Sequence, residues 1–252
     1  MNEQLHPFIE VKNLKKNFGH IEALKGASLK ANCGEVLAIV GDNGAGKSTL
    51  IKALSGALTP DEGAIIVDGQ PYAHLTPKLA GEKGISTVYQ DLSLVNTQTV
   101  WENIFLGHEY RTCGWLNKKK MRQEAAQLLD ELNVAIHNHE DIVGNLSGGQ
   151  RQAIAVARAI HQGGKMIILD EPTAAMGLKE TAATQKLIRR LADQGYGVII
   201  ISHNIQQVFE LSDRICVMRQ GQVLALVDTK SVVSDDIVSM IVSGTVANGV
   251  LQ

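Results

Sequence analysis

Short, largely apolar runs recur along the chain at Glu35–Val40, Met166–Leu169 and Val198–Ile201. Each is too short for an amphipathic helix and reads as a buried strand, the last continuing to Ser202. Cys33-Gly34 supplies the turn before the first. Between these runs apolar residues fall at helical spacing, first at Leu50, Ala53, Leu54 and Ala57 with Gly56 as a stop. The pattern further predicts helices over Glu180–Leu191, Asn204–Leu211 and Asp235–Val242. Strands are expected at Phe8–Val11, Gly26–Lys30, Ala64–Val67 and Ile85–Tyr89, with turns at Asn17–His20, Pro60–Gly63 and Asp68-Gly69. Arg214–Met218 and Val223–Val227 read as a hairpin across Arg219–Gln222.

From about Asp91 to Gly163 the pattern is helical. Thr99-Val100-Trp101-Glu102 has capping-box spacing. Asn117 can cap a helix with a stripe of Met121, Ala125, Leu128, Leu129 and Leu132. The expected organisation is one domain over 1–252. Its α/β core covers 1–90 and 164–230, an inserted helical lobe covers 91–163, and a last helix and loose tail cover 231–252. No internal repeat is visible.

Composition narrows the function. Of 252 residues, 44% are hydrophobic, and 24 Lys and Arg against 26 Asp and Glu leave a formal charge of −2. That balance argues against a nucleic-acid groove. The one basic run, Lys118-Lys119-Lys120, reads by default as a solvated helix start, yet it opposes the dipole there and asks for another reason. Three scattered cysteines, Cys33, Cys113 and Cys216, fit neither a disulfide framework nor a zinc site and point to a reducing compartment. No stretch is long and apolar enough to cross a bilayer, and no signal peptide is visible. Work at a membrane would need other chains to supply it.

The chemistry begins at Gly41-Asp42-Asn43-Gly44-Ala45-Gly46-Lys47-Ser48. This fits the phosphate-loop pattern: glycines free the backbone N–H groups to face an anion, Lys47 reaches the β- and γ-phosphates, and Ser48 ligates Mg²⁺. It lies between a strand and a helix, as a phosphate site requires. About a hundred residues on comes Leu146-Ser147-Gly148-Gly149-Gln150. Ser147 stands at a helix entrance backed by Ala153, Val156, Ala157 and Ile160. Serine caps are common, but two glycines just inside a helix cost about 1 kcal/mol each relative to alanine, which points to a ligand. Asp170 and Glu171 end an apolar strand with two acids: the first can hold Mg²⁺ and the second polarise a water.

With Gln90 and His203, these motifs stand in the order found in the nucleotide-binding subunit of ABC transporters, which the chain resembles from Ile9 to about Gly244. The resemblance implies a RecA-like P-loop NTPase core with an N-terminal antiparallel β portion and an inserted helical subdomain. It implies ATP and Mg²⁺ as ligands, with Asp42, Asn43, Ala45 and Thr49 in the phosphate site and Phe18 stacking on adenine. Gln90 would sense Mg²⁺ and the membrane subunit, and His203 would contact the γ-phosphate. Each ATP would lie between two copies of the chain, with Ser147, Gly148, Gly149 and Gln150 of one facing Lys47 of the other. The implied partners are a second copy, integral membrane permease subunits and, indirectly, a periplasmic or extracellular binding protein, at the cytoplasmic face of the membrane. Gly177 departs from the family, where many members carry an aspartate.

Gly41–Gly44, Ile51–Gly56, Val100–Gly107 and Asp170–Gly177 are worded like the importers of simple sugars of the ribose and fructose type. Two other readings stay open: an ABC ATPase for another cargo, such as amino acids or an exported lipid, and a soluble nucleotide switch. Leu92-Ser93-Leu94-Val95 is more apolar than a free loop should be. It is expected either to dock a helix of a membrane subunit or to pack the helical lobe onto the core.

Overall fold

The computed structural model describes residues 7–112, 114–136, 138–174 and 176–245. Its centre is a six-stranded sheet in the order β12-β11-β3-β10-β9-β6. These strands run over Ile85–Val88 (β6), Val36–Val40 (β3), Met166–Asp170 (β9), Gly197–Ile201 (β10), Arg214–Arg219 (β11) and Gln222–Asp228 (β12). All pairings are parallel except the β11–β12 hairpin. The apolar runs of β3, β9 and β10 follow from burial on both faces. Val36, Ala38, Val40, Ile167, Leu169, Val198 and Ile200 enter one layer. Leu37, Ile39, Met166, Ile168, Ile199 and Ile201 enter the other.

The second layer is closed by α1 (Lys47–Leu54) and by a four-stranded antiparallel sheet in the order β2-β1-β4-β5. This sheet is built from β1 (Ile9–Phe18), β2 (Ile21–Ala31), β4 (Glu62–Val67) and β5 (Gln70–Tyr72). Here the strands outrun their sequence signal. β1 continues through Lys12–Asn17, polar except for the buried Leu14, with Asn13 at φ 49 and register shifts against β2, so the turn expected over Asn17–His20 narrows to Gly19-His20. Pairing with β2 and β4 holds that polar half in the sheet.

The first layer is helical. Between β6 and β9 the chain passes through α3 (Val100–Phe105), a small hairpin of β7 (Arg111–Thr112) and β8 (Trp115–Leu116), then α4 (Lys118–Glu131) and α5 (Gly148–His161). Thr99 caps α3 in a capping box with Glu102, and Asn117 caps α4 by accepting from the Lys120 N–H. Met121, Ala125, Leu129 and Leu132 are buried as the stripe requires, while Leu128 is partly exposed. Their cluster is continuous with the sheet residues above and with α6 (Leu178–Asp193), α7 (Ile205–Leu211) and α8 (Ser234–Val242). The short helix α2 (Pro77–Glu82), capped by Thr76, and the β7–β8 hairpin were not expected from the pattern. Cys33 and Cys216 are free thiols, the second fully buried. Cys113 and the tail from residue 246 lie outside the described residues.

Candidate nucleotide site

Parallel register lines up the strand ends that matter. Ile39 of β3 and Asp170 of β9 both pair with Ile201 of β10, and Leu169 pairs with Val88 of β6. Gly41, Glu171, His203 and Gln90 therefore follow at one edge, the carboxyl ends of the strands, where open α/β sheets bind ligands.

The loop Gly41–Ser48 has glycine where the chain itself demands it. Gly41 (φ 153) and Gly46 (φ 100) adopt backbone that L side chains avoid. A Cβ at Gly41 would lie 2.2 Å from the Met218 carbonyl oxygen, and one at Gly46 would lie 2.7 Å from that of Ala23. At Gly44 (φ 83) nothing lies within 4 Å, so that space is open. The Gly221 N–H donates to the Ala45 carbonyl (3.0 Å), tying the loop to the β11–β12 turn. Gly46 stands before the first turn of α1; Ser48 is exposed and Thr49 half-buried. Asp42, Asn43 and Gly44 are exposed.

Lys47 is buried, and its Nζ donates to the carbonyls of Gly41 (2.7 Å) and Asp42 (2.9 Å). Burial pulls its pKa down, against the opposing pull of Glu171, Asp42 and Asp170. Asp170 and Glu171 mirror this: burial pushes both carboxyls up, while Lys47 and His203 draw them down. Glu171 has φ 52, and its N–H donates to the Ile201 carbonyl (3.0 Å), so the neighbouring strand holds a backbone that a glutamate rarely adopts. Its Oε1 lies 3.1 Å from His203 Nε2, off the line of a hydrogen bond, and is a buried oxygen without a hydrogen-bond partner among the described residues. A buried, unpartnered carboxylate oxygen beside another carboxylate is a demand for a cation or a water.

Two clefts open on Glu171. One, of about 340 Å³, is lined by Gln90, Asp91, Leu92, Leu94, Gly148 and Met176 among others. The second is lined by Thr173, Ser202, His203, Asn204 and Gln207. Thr173 Oγ1 donates to Gln207 Oε1 (2.7 Å), and Asn204 caps α7. The sequence pattern starts a helix at Asn204 but does not single out Thr173, Ser202 or Gln207 as neighbours of His203. Gln90 is exposed two residues beyond β6. Leu92 and Leu94 pack against the core, and Arg158 donates to the carbonyls of Leu92 (2.8 Å) and Ser93 (2.9 Å). Packing of the lobe is thus the reading those two leucines meet.

Phe18 ends β1 half exposed rather than in the core, with Lys16 Nζ 5.7 Å from its ring centre. Ser147 caps α5 in a capping box: its Oγ accepts from the Gln150 N–H (3.3 Å) and its N–H donates to Gln150 Oε1 (3.0 Å). Ser147 is exposed and, among the described residues, makes no hydrogen bond to Gly41–Ser48. A Cβ at Gly148 would meet nothing closer than 3.7 Å, so its own chain does not require glycine there. Gly177 precedes α6, where its N–H donates to Glu180.

Among the described residues no three or more His, Cys, Asp or Glu side chains are placed to hold a metal ion by themselves. Nor is any helix of the described residues long and apolar enough to cross a membrane.

The comparisons with known proteins point one way. The sequence model of the family described as ABC transporter matches residues 24–174. The chain is 47% identical to the xylose/arabinose import ATP-binding protein XylG of Sulfolobus acidocaldarius, over 86% of each chain. It is 43% identical to the fructose import ATP-binding protein FrcA of Rhizobium meliloti, over 92% of this chain and 93% of that one. Against the ribose import ATP-binding protein RbsA of Yersinia pestis it is 40% identical over 94% of its length, but spans only 46% of that relative. Among solved structures it resembles the ADP conformation of an ATP-binding cassette of an ABC transporter, with TM-score 0.82, 30% identity, and 95% and 99% of the two chains covered. It also resembles a dimeric post-hydrolysis cassette bound to ADP and Pi, with TM-score 0.73, 27% identity, and 88% and 98% covered. The fold expected from the motifs, a P-loop NTPase core with an antiparallel β portion and added helices, is the one observed. The chain belongs to the ABC transporter family, as one of its ATP-binding cassettes.

Proposed function

We propose that this chain is the ATP-hydrolysing subunit of a membrane importer for a simple sugar, acting as a dimer with two shared ATP sites. Similarity over most of the chain to ATP-binding proteins named for xylose/arabinose and fructose import supports the cargo class. The observation that carries the shared site is the contrast between the two halves of the machinery. Lys47, Asp170, Glu171 and His203 converge at one sheet edge, whereas Ser147 stands exposed at the start of α5, followed by Gly148 on the rim of the Glu171 cleft, a glycine its own chain does not need.

In this reading the backbone N–H groups of Gly41–Ser48 and the ammonium of Lys47 bind the phosphates, Phe18 stacks on the base, and Thr49 adds to the phosphate site. Lys47 exchanges its bonds to the Gly41 and Asp42 carbonyls for phosphate oxygens. Glu171 polarises the attacking water, and His203 orients that water and the γ-phosphate. The Ser147 hydroxyl and the N–H groups of Gly148, Gly149 and Gln150 close the site from the second copy. Ser48, Asp170 and Gln90 would hold Mg²⁺, which when bound neutralises charge developing on the phosphates. Residues 91–163 serve as the lobe that carries the open half of this site.

A groove of about 780 Å³ between α2, β6 and α5, lined by Lys78, Tyr89, Leu106, His108 and Arg158, is proposed to receive the permease at the cytoplasmic face of the membrane. Arg158 links it to the Gln90 segment through Leu92 and Ser93. Reconstitution with the permease and a sugar-loaded binding protein tests the proposal: sugar-stimulated ATP turnover is expected. Turnover that responds to an amino acid or a lipid instead would overturn the cargo, and ATP hydrolysis indifferent to any membrane subunit would overturn transport itself.

A further inference from the structure

The β7–β8 hairpin and the first turn of α4 form a surface that the nucleotide site does not use. Between residues 111 and 120 stand Arg111, Lys118, Lys119 and Lys120 and no acid, in a chain whose formal charge is −2. Trp115 is 82% exposed and Leu116 46%. The hairpin sets Arg111 opposite Leu116 and Thr112 opposite Trp115. Lys120 has work inside the chain, 4.3 Å from the Tyr110 ring centre and 3.6 Å from Glu124. Arg111, Lys118 and Lys119 are exposed, and among the described residues none has a carboxylate within ion-pair distance. The nearby acids are occupied: Glu102 in the α3 cap, Glu109 on the Gly107 N–H, and Glu140 on Arg122.

Lysines in the first turn of a helix oppose its dipole, and a tryptophan in water buries none of its apolar area. Both costs reverse at an anionic bilayer surface. Indole settles at headgroup level, a neighbouring leucine reaches the acyl boundary, and lysines gain from lipid phosphates. We propose that Trp115, Leu116, Arg111, Lys118 and Lys119 form a contact with the anionic lipid surface, beside the groove proposed for the permease. The groove's Leu106 and His108 lie just upstream in the chain. The proposal rests on the transport reading only in placing a membrane next to the cassette, and its test needs neither sugar nor permease.

The chain contains two tryptophans, and Trp101 is buried, so a change in emission on vesicle addition reports Trp115. The purified full chain is mixed with vesicles of phosphatidylcholine alone or with roughly one-third phosphatidylglycerol. Co-sedimentation and a blue shift are expected only with the anionic vesicles, and both should fade at about 0.5 M salt. Lys118→Gln and Lys119→Gln should each weaken partitioning about fivefold, and Trp115→Ala should abolish the shift. ATP hydrolysis in solution should remain unchanged in all three, which verifies folding and separates this test from that of the proposed function. Equal binding to neutral vesicles, or undiminished binding by the lysine variants, would overturn the proposal.

Discussion

Glu171 and His203 meet across the ends of β9 and β10, with His203 Nε2 3.1 Å from Glu171 Oε1 and the Glu171 N–H bonded to the Ile201 carbonyl (3.0 Å). The strand that leads to the histidine thus also holds the glutamate in its left-handed backbone conformation. The neighbouring strand fixes the backbone of the proposed general base, while burial, His203, Asp170 and Lys47 together set its charge.

Glu171→Gln should therefore keep ATP binding and lose hydrolysis, by about 10²-fold or more. The ATP-bound dimer should then accumulate, as read by size-exclusion chromatography. Turnover at the wild-type rate would remove Glu171 from the role of base.

The raised carboxyl pKa values fix the direction of a pH effect. Burial shifts Asp170 and Glu171 above their ordinary 3.8 and 4.5. Folded protein then holds these protons more tightly than unfolded chain, so this contribution to stability falls as pH rises from the ordinary values through the raised ones. At neutral pH without nucleotide, Glu171→Gln should raise the melting temperature by about 1–3 °C. Turnover should begin to fall on acidification above the ordinary carboxylate range. An activity profile flat down to pH 4.5 would contradict the shift.

Lys47→Ala should weaken ATP binding by about 10- to 100-fold, because an ammonium on the phosphates is lost. Isothermal titration measures it. Binding unchanged by the substitution would move the phosphates away from this loop.

The glycines separate packing from function. Gly41→Ala drives a Cβ to 2.2 Å from a carbonyl oxygen and should destabilise the fold. Gly148→Ala has ordinary room, so the folded chain should hold or gain up to about 1 kcal/mol. Its turnover should nonetheless fall, because the new methyl stands where the partner's phosphate approaches. A Gly148→Ala chain of full activity would leave that glycine unexplained.

Much of this is legible in the sequence alone, for a physical reason. β3, β9 and β10 are buried on both faces, so their sequences are unbroken apolar runs, and the acids and loop that follow them stand out. The second half of β1 escapes the sequence pattern because Lys12–Asn17 is polar except for the buried Leu14 and is kept in a sheet by pairing with β2 and β4, which local pattern does not encode. The β7–β8 hairpin has two-residue strands with exposed side chains and so no alternation to read. Gln90 and His203 are singled out only by their order among stronger motifs; the register of the sheet puts both at the edge that carries Gly41 and Glu171.

The shared site is the central claim, and mixing two inactive chains tests it most directly. Ser147→Arg should bind ATP without hydrolysing it, and Lys47→Ala should bind it about 10- to 100-fold more weakly and not hydrolyse it. Together they form a mixed dimer with one site damaged on both halves and one site intact. An equimolar mixture should recover about a quarter of wild-type turnover, half the dimers being mixed and each holding one working site. No activity above the sum of the separate variants, with the mixed dimer present, or a Ser147→Arg chain that hydrolyses ATP as a monomer, would contradict the account.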